Sequence, residues 1–394
     1  MATDRDAGAL VRWILTEGRA QPSPTRLVGA LCGRLVEAGV PLWRVTVYAA
    51  TLHPQIRGYG WRWWRDRGVT EEVRIAQGTE LSDEYLASPL RDTIERGSVT
   101  RHRLDGGPSA FPLLEEFRAE GCTEYLVAPL NRVAQRYPVV AWATDRAGGF
   151  DDGDAALLEE IRPALAAVVE TIVTRRTARG LFAIYHGSHV GDRVFDGQIL
   201  RGHYAPLRAV IMATDLRGFT GISDRLLGDE VIGALDDYFE HVAASVHAAG
   251  GHVLKFIGDG VLAIFSTDGD RDGAAASAGL AAARDIVMRL AAHNAAGGES
   301  GRVELRAGIG LHLGSVMYGN VGAPDRLDFT AIGPAVNLAF RLEGLTKVLH
   351  RPVLASRALA EAAASPLRSL GLHPIPGLDG LEEVFALPEH DPPP

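Results

Sequence analysis

Cysteine is nearly missing from this 394-residue chain: Cys32 and Cys122 stand alone, without C-x-x-C spacing. Two isolated thiols exclude a disulfide framework and a structural zinc site, and they read as buried side chains. Long apolar runs are missing as well. No stretch of eighteen apolar residues occurs, and the opening MATDRDAGAL has no basic segment followed by an apolar one. The expectation is a cytoplasmic protein without a membrane span. Positive charge is in deficit: the net charge is −9 and the arginines are scattered among acids, which argues against nucleic acid as a partner. The signatures G-x-x-x-x-G-K-[ST], H-E-x-x-H and G-x-S-x-G are absent, which removes several common enzyme classes. With 46% hydrophobic and 23% charged residues, the chain reads as ordinary folded protein.

Its length favours two domains, and the composition changes along it. All six tryptophans (Trp13, Trp43, Trp61, Trp63, Trp64 and Trp142) fall in the first half. There, apolar runs such as RVTVYAATL, EYLVAPL and PVVAWAT alternate with helical patterns between Gly, Pro and Asp clusters, which indicates an α+β module. The aromatics from Trp61 to Trp64 either line a ligand pocket or belong to the core. A helix beginning near Asp154 places Leu157, Leu158, Ile161, Leu165, Val168, Val169 and Ile172 at helical spacing, with Pro163 interrupting it near its start. That stripe either pairs with its twin in a dimer or packs as an ordinary amphipathic face. The stretch from Tyr185 to Leu207, rich in Gly and His, reads as a connector. The order of elements, a strand pair, a variable middle, the PVVAWAT strand and a closing helix, resembles a GAF-type sensor domain. That resemblance implies a small-molecule effector.

From Arg208 the sequence carries chemistry. RAVIMATDLRGFT is an apolar strand ending in Asp215 and a glycine turn. Val231, Leu235, Phe239, Val242 and Val246 then recur at helical spacing until Gly250 and Gly251 stop the helix. GHVLKFIGDGVLAIF follows, two apolar strands joined by Gly258, Asp259 and Gly260, the composition of a tight hairpin. If the hairpin pairs beside the first strand, Asp215 and Asp259 converge across 44 positions of sequence. Two convergent carboxylates suit Mg²⁺ or Mn²⁺, hard ions that complete their shells with phosphate oxygens. Downstream, Asn337 and Arg341 lie four residues apart in IGPAVNLAFRLEGLT, on one face of a helix.

With DLRGFT, KFIGDG, DFTAIG and the NLAFR helix in that order, residues 205 to 390 resemble the class III adenylyl and guanylyl cyclases. The resemblance implies two metal ions on Asp215 and Asp259 with the backbone of Leu216, and a phosphate cradle over Leu216, Gly218, Phe219 and Thr220. It assigns base recognition to Lys255 and Thr330, which as a lysine and a hydroxyl suit adenine, and so ATP, over guanine. It assigns ribose positioning to Asn337 and phosphate neutralisation to Arg341. It further implies a head-to-tail homodimer in which the metal acids come from one copy and the other residues from its partner. One place departs from the pattern: where many members carry a phosphate-binding lysine, IPGLDG puts Pro376, and Lys347 is a candidate substitute. A threonine like Thr330 also raises the question of a bicarbonate response.

The expected organisation is a GAF-like domain over 1–175, a linker over 176–205 and a cyclase domain over 206–390, the last an α+β, ferredoxin-like or palm-like sandwich with a mostly antiparallel sheet. The function expected is conversion of ATP to cyclic AMP, with guanylate cyclase or a nucleotide-binding regulator as alternatives. A diguanylate cyclase is disfavoured because IGDGVL lacks a GGDEF-like acid pair.

Overall fold

The computed structural model describes residues 6–130, 138–224, 226–267, 271–297 and 303–390. The chain divides into two units, Met1–Leu181 and Phe182–Pro394. Among the described residues no helix is long and apolar enough to cross a membrane.

In the first unit, β1 (Arg44–Ala50), β2 (Ile56–Trp64), β3 (Val69–Ala76), β4 (Thr100–Arg103), β5 (Glu124–Pro129) and β6 (Val139–Thr144) form one sheet in the order β3-β2-β1-β6-β5-β4. Every neighbouring pair is antiparallel. The helices are α1 (Ala7–Trp13), α2 (Pro24–Glu37), α3 (Asp83–Leu86), α4 (Pro89–Arg96), α5 (Pro112–Ala119) and α6 (Asp152–His186). Both faces of the sheet are covered. Leu126, Val140 and Trp142 point into a core with Leu31 of α2 and Ile161 of α6, while Tyr125, Val127 and Val139 meet Leu90, Leu114 and Phe117. That is why β5 and β6 are buried at every position and read as unbroken apolar runs.

Two open readings are decided here. Trp61 and Trp63 are core side chains, and the Trp61 indole donates to Glu72 across the β2–β3 pair (2.8 Å). The α6 stripe from Leu157 to Val169 is buried in its own unit's core, with Ile172 packed against it, so it is an ordinary packing face and has no surface left for a twin. Nor does Pro163 interrupt the helix, which runs on through it. A proline inside a helix costs about 3 kcal/mol, while each large apolar side chain buried on either side contributes about 1.5–3 kcal/mol. Ile161 and Leu165, both fully buried, outweigh it.

The stretch expected to link the domains is largely helical. α6 continues to His186, Gly187 breaks it with a φ of 83°, and α7 (Ser188–Phe195) follows.

In the second unit, β7 (Tyr204–Leu216), β8 (His252–Ile257), β9 (Gly260–Ser266), β10 (Ala307–Ala323), β11 (Arg326–Ile332), β12 (Val353–Ser356), β13 (Arg368–Pro374) and β14 (Leu381–Ala386) make one sheet. Its order is β13-β14-β12-β10-β7-β9-β8, with β11 also on β10. Only β10 and β12 pair in parallel, so the expected mostly antiparallel α+β layer is what forms. Helices α8 (Phe219–Ser223), α9 (Gly228–Ala248), α10 (Asp272–Gly297), α11 (Pro334–Val348) and α12 (Arg357–Ala362) complete it. β7 alternates strictly. Val210 and Met212 face Tyr238 and Val242 of α9 and Ile286 of α10, whereas Ala209, Ile211 and Ala213 face Val190 of α7 and Ala335 and Ala339 of α11.

Candidate active site

β7 lies between β10 and β9, and its last residues set the chemistry. Asp215 pairs in register with Gly308 of β10 and Gly260 of β9. The β8–β9 turn is two residues long, with Ile257 opposite Gly260 and Gly258 at a φ of 62°, as a primed hairpin turn requires. Asp259 therefore sits at the tip beside Asp215, and the Leu216 amide donates to the Asp259 carbonyl (3.3 Å). Burial and the neighbouring Asp215 carboxylate push the Asp259 carboxyl up from its ordinary range. The two acids converge as the hairpin reading expects.

Sequence reading missed the third acid. Glu343 of α11 is 7% exposed, and its Oε1 is buried without a hydrogen-bond partner among the described residues. Burial, then Asp215, raises it to about 7. One turn later the Lys347 ammonium lies 2.9 Å from Asp215 Oδ2, a bond that raises its own pKa. The Arg217 guanidinium, two residues on from Asp215, donates to the carbonyls of Thr346 (3.0 Å) and Arg351 (2.7 Å). What brings α11 this close is glycine. A Cβ at Gly308 would press on Thr346 and Glu343, and one at Gly310 would overlap the α11 backbone at Ala339 and Glu343. Gly308 and Gly310, on one face of β10, are the signal in the sequence that a backbone approaches there.

Gly218 holds the turn into α8 at a φ of 75°, with nothing within 4 Å of where a Cβ would stand. The left-handed backbone is what requires glycine there. Leu216 is buried, Phe219 packs against the core, and the side chain of Thr220 lies outside the described residues.

A second cluster forms where β8 meets β11. Lys255 of β8 pairs with Asp328 of β11, Nζ to Oδ2 at 2.5 Å. Thr330, two residues on, is buried, and its Oγ1 has no hydrogen-bond partner among the described residues. Asp328 is a further residue the sequence reading passed over.

Residues 207–353 match the family model described as the adenylate and guanylate cyclase catalytic domain. The chain carries a class III cyclase catalytic domain. It is 34% identical over 165 residues to the adenylate cyclase of Anabaena cylindrica, covering 40% of this chain and 31% of that one. Over 224 residues it is 33% identical to adenylate cyclase 1 of Rhizobium meliloti, covering 55% and 33%. A solved bacterial light-regulated adenylyl cyclase is 30% identical, covering 47% of this chain and 92% of that one, with a TM-score of 0.41. The chain thus spans about a third of the length of these curated relatives.

Within the cyclase domain, α11 carries two faces. Glu343 and Lys347 turn toward Asp215, whereas Asn337 and Arg341 stand six residues before them, about 120° around the helix at 100° per residue. Arg341 reaches instead toward the loop between β13 and β14: its Nη2 is 2.9 Å from where a Cβ of Gly377 would be, next to Pro376. A single chain joins the acids to Lys347, and turns Arg341 toward the β13–β14 loop instead.

Proposed function

We propose that this protein is a cytoplasmic adenylate cyclase that converts ATP to 3′,5′-cyclic AMP and pyrophosphate at a site completed by two copies of the chain. The observation that carries the reading is the meeting of Asp215 and Asp259 at the ends of β7 and β8. Two carboxylates with the adjoining Leu216 backbone fit Mg²⁺ or Mn²⁺, which take a few protein oxygens and fill the rest of the shell with water and phosphate. When bound, such ions supply acidification of the ribose 3′-hydroxyl and neutralisation of phosphate charge.

The side chains do the positioning. The turn from Leu216 through Gly218 to Phe219 offers backbone amides to phosphate oxygens. Lys255 donates to an adenine ring nitrogen, and Thr330, whose hydroxyl has no partner among the described residues, accepts from the exocyclic amine. Asn337 orients the ribose, and Arg341 meets the charge that grows on the phosphate as the 3′-oxygen attacks and pyrophosphate leaves. The divided faces of α11 support a shared site, in which Asn337 and Arg341 serve the acids of the partner copy.

The first unit fits a regulatory, GAF-like role. A cavity of about 160 Å³, lined by Val99, Arg101, Leu126, Trp142, Leu158 and Arg162, lies against α6, the helix that leads out of that unit, and it suits a small, mainly apolar effector.

One observation favours a guanylate cyclase instead. Asp328 offers a carboxylate beside Lys255, and guanine presents N–H donors where adenine presents an acceptor. Incubation with ATP or GTP and Mg²⁺ or Mn²⁺, with Asp215→Ala as control, decides between them. Cyclic AMP lost in the variant upholds the proposal; cyclic GMP alone moves it to the guanylate reading, and no product from a verified dimer refutes both.

A further inference from the structure

Lys347 has no task in the reaction as laid out above, yet it holds the most telling place in the acid cluster. Its Nζ lies on Asp215 at 2.9 Å, while its side chain remains 54% exposed and rises from the last turn of α11. Arg217, the nearby guanidinium, is committed to two backbone carbonyls. An ammonium and a divalent ion cannot both take the same carboxylate oxygen at short range, since their like charges repel. A lysine also differs from an arginine in being a compact charge on a flexible four-carbon stem, able to leave one anion for another nearby without backbone movement. Nucleotide phosphates that share a metal with Asp215 would come within that reach. At the other candidate place for a phosphate cation, Pro376 offers none.

We propose that Lys347 is a displaceable counter-ion of the Asp215 carboxylate, and that once metal displaces it, it becomes the cation that binds the terminal phosphates of the nucleotide. This rests on the cyclase reading of the acid pair. It makes Lys347 a competitor of metal in the free protein and a substrate-binding residue in the loaded one, two effects of opposite sign that a merely structural ion pair would not produce.

The test uses the full chain as wild type, Lys347→Gln, Lys347→Arg and Asp215→Ala, each checked for an unchanged melting temperature. Mn²⁺ binding is followed by electron paramagnetic resonance without nucleotide; binding of a non-hydrolysable ATP analogue and of AMP is then measured with Mn²⁺ saturating. In Lys347→Gln, Mn²⁺ alone should bind about fivefold more tightly, the scale of one exposed ion pair. The triphosphate should bind about tenfold more weakly, the scale of one charged hydrogen bond, with AMP unchanged. Lys347→Arg should retain most of the triphosphate affinity. Mn²⁺ affinity that is unchanged or weaker in Lys347→Gln, or equal losses for triphosphate and AMP, would overturn the inference while leaving the cyclase reading intact. Mn²⁺ bound as well by Asp215→Ala as by wild type would remove the metal site itself, and the inference with it.

Discussion

Each unit buries a glutamate beside its sheet, and the two are treated in opposite ways. Glu124, wholly buried on β5, takes hydrogen bonds from the Arg101 guanidinium and from the Phe150 amide (2.7 Å). Glu343 in the cyclase domain is nearly as buried, yet its Oε1 has no hydrogen-bond partner among the described residues, and the carboxyl is pushed up to about 7. A buried acid that the fold satisfies is a structural member, because losing its partner costs several kcal/mol. Glu343 instead stands beside Asp215 and Asp259, whose charges add to burial in raising it. Strand β7 makes the same point: buried and apolar from Ala209 to Ala213, it turns to chemistry only at its end.

The comparison can be broken most severely at Asp215. Asp215→Ala should lower cyclic nucleotide formation by about a thousandfold or more, measured as product per minute at saturating Mn²⁺, with little change in melting temperature. A retained rate would strip the acid pair of its role.

The next largest effect follows from pH. His312 of the cyclase domain, whose pKa is lowered from 6.5 to about 4 by burial and by the nearby Arg208 charge, is held neutral there. The unfolded chain therefore binds the extra proton first. Stability should be fully present above about pH 6.5 and fall as pH drops toward 4, by at most about 3 kcal/mol. Urea unfolding followed by circular dichroism across that range, in wild type and His312→Gln, checks the slope, which the variant should flatten.

Smaller effects separate the two glutamates. All six tryptophans lie in the first unit, so tryptophan fluorescence reports on that unit alone. Glu124→Gln should cost it about 2 kcal/mol through weakened bonds to Arg101 and leave product formation unaltered. Glu343→Gln, which removes a charge that burial already disfavours, should change stability by less than about 1 kcal/mol, read by hydrogen exchange along α11. Equal destabilisation by both would erase the distinction.

Much of this was legible before any coordinates. The turn at Gly258 and Asp259 was visible because only a few residues tolerate a primed hairpin, and the α11 face of Asn337 and Arg341 followed from helical period alone. Other features had no local signature. The α6 stripe from Leu157 to Val169 looks the same whether its cover is a twin helix or its own sheet, and Trp61 looks the same in a pocket as in a core. Asp328 gains meaning only because β11 comes to rest beside β8, where it meets Lys255.

What the amino-acid order determined by itself is everything set by neighbours along the chain: strand and helix periods, the tight turn, and the placement of one acid at the end of an apolar strand. What only the tertiary structure decided is which charges meet. β1 pairs with β6 across the first unit, and Gly308 and Gly310 let α11 descend onto β10, which sets Glu343 and Lys347 against Asp215. Such meetings join residues far apart in the sequence, 132 positions for Lys347 and Asp215, and electrostatic energy depends on separation in space, which no local pattern encodes.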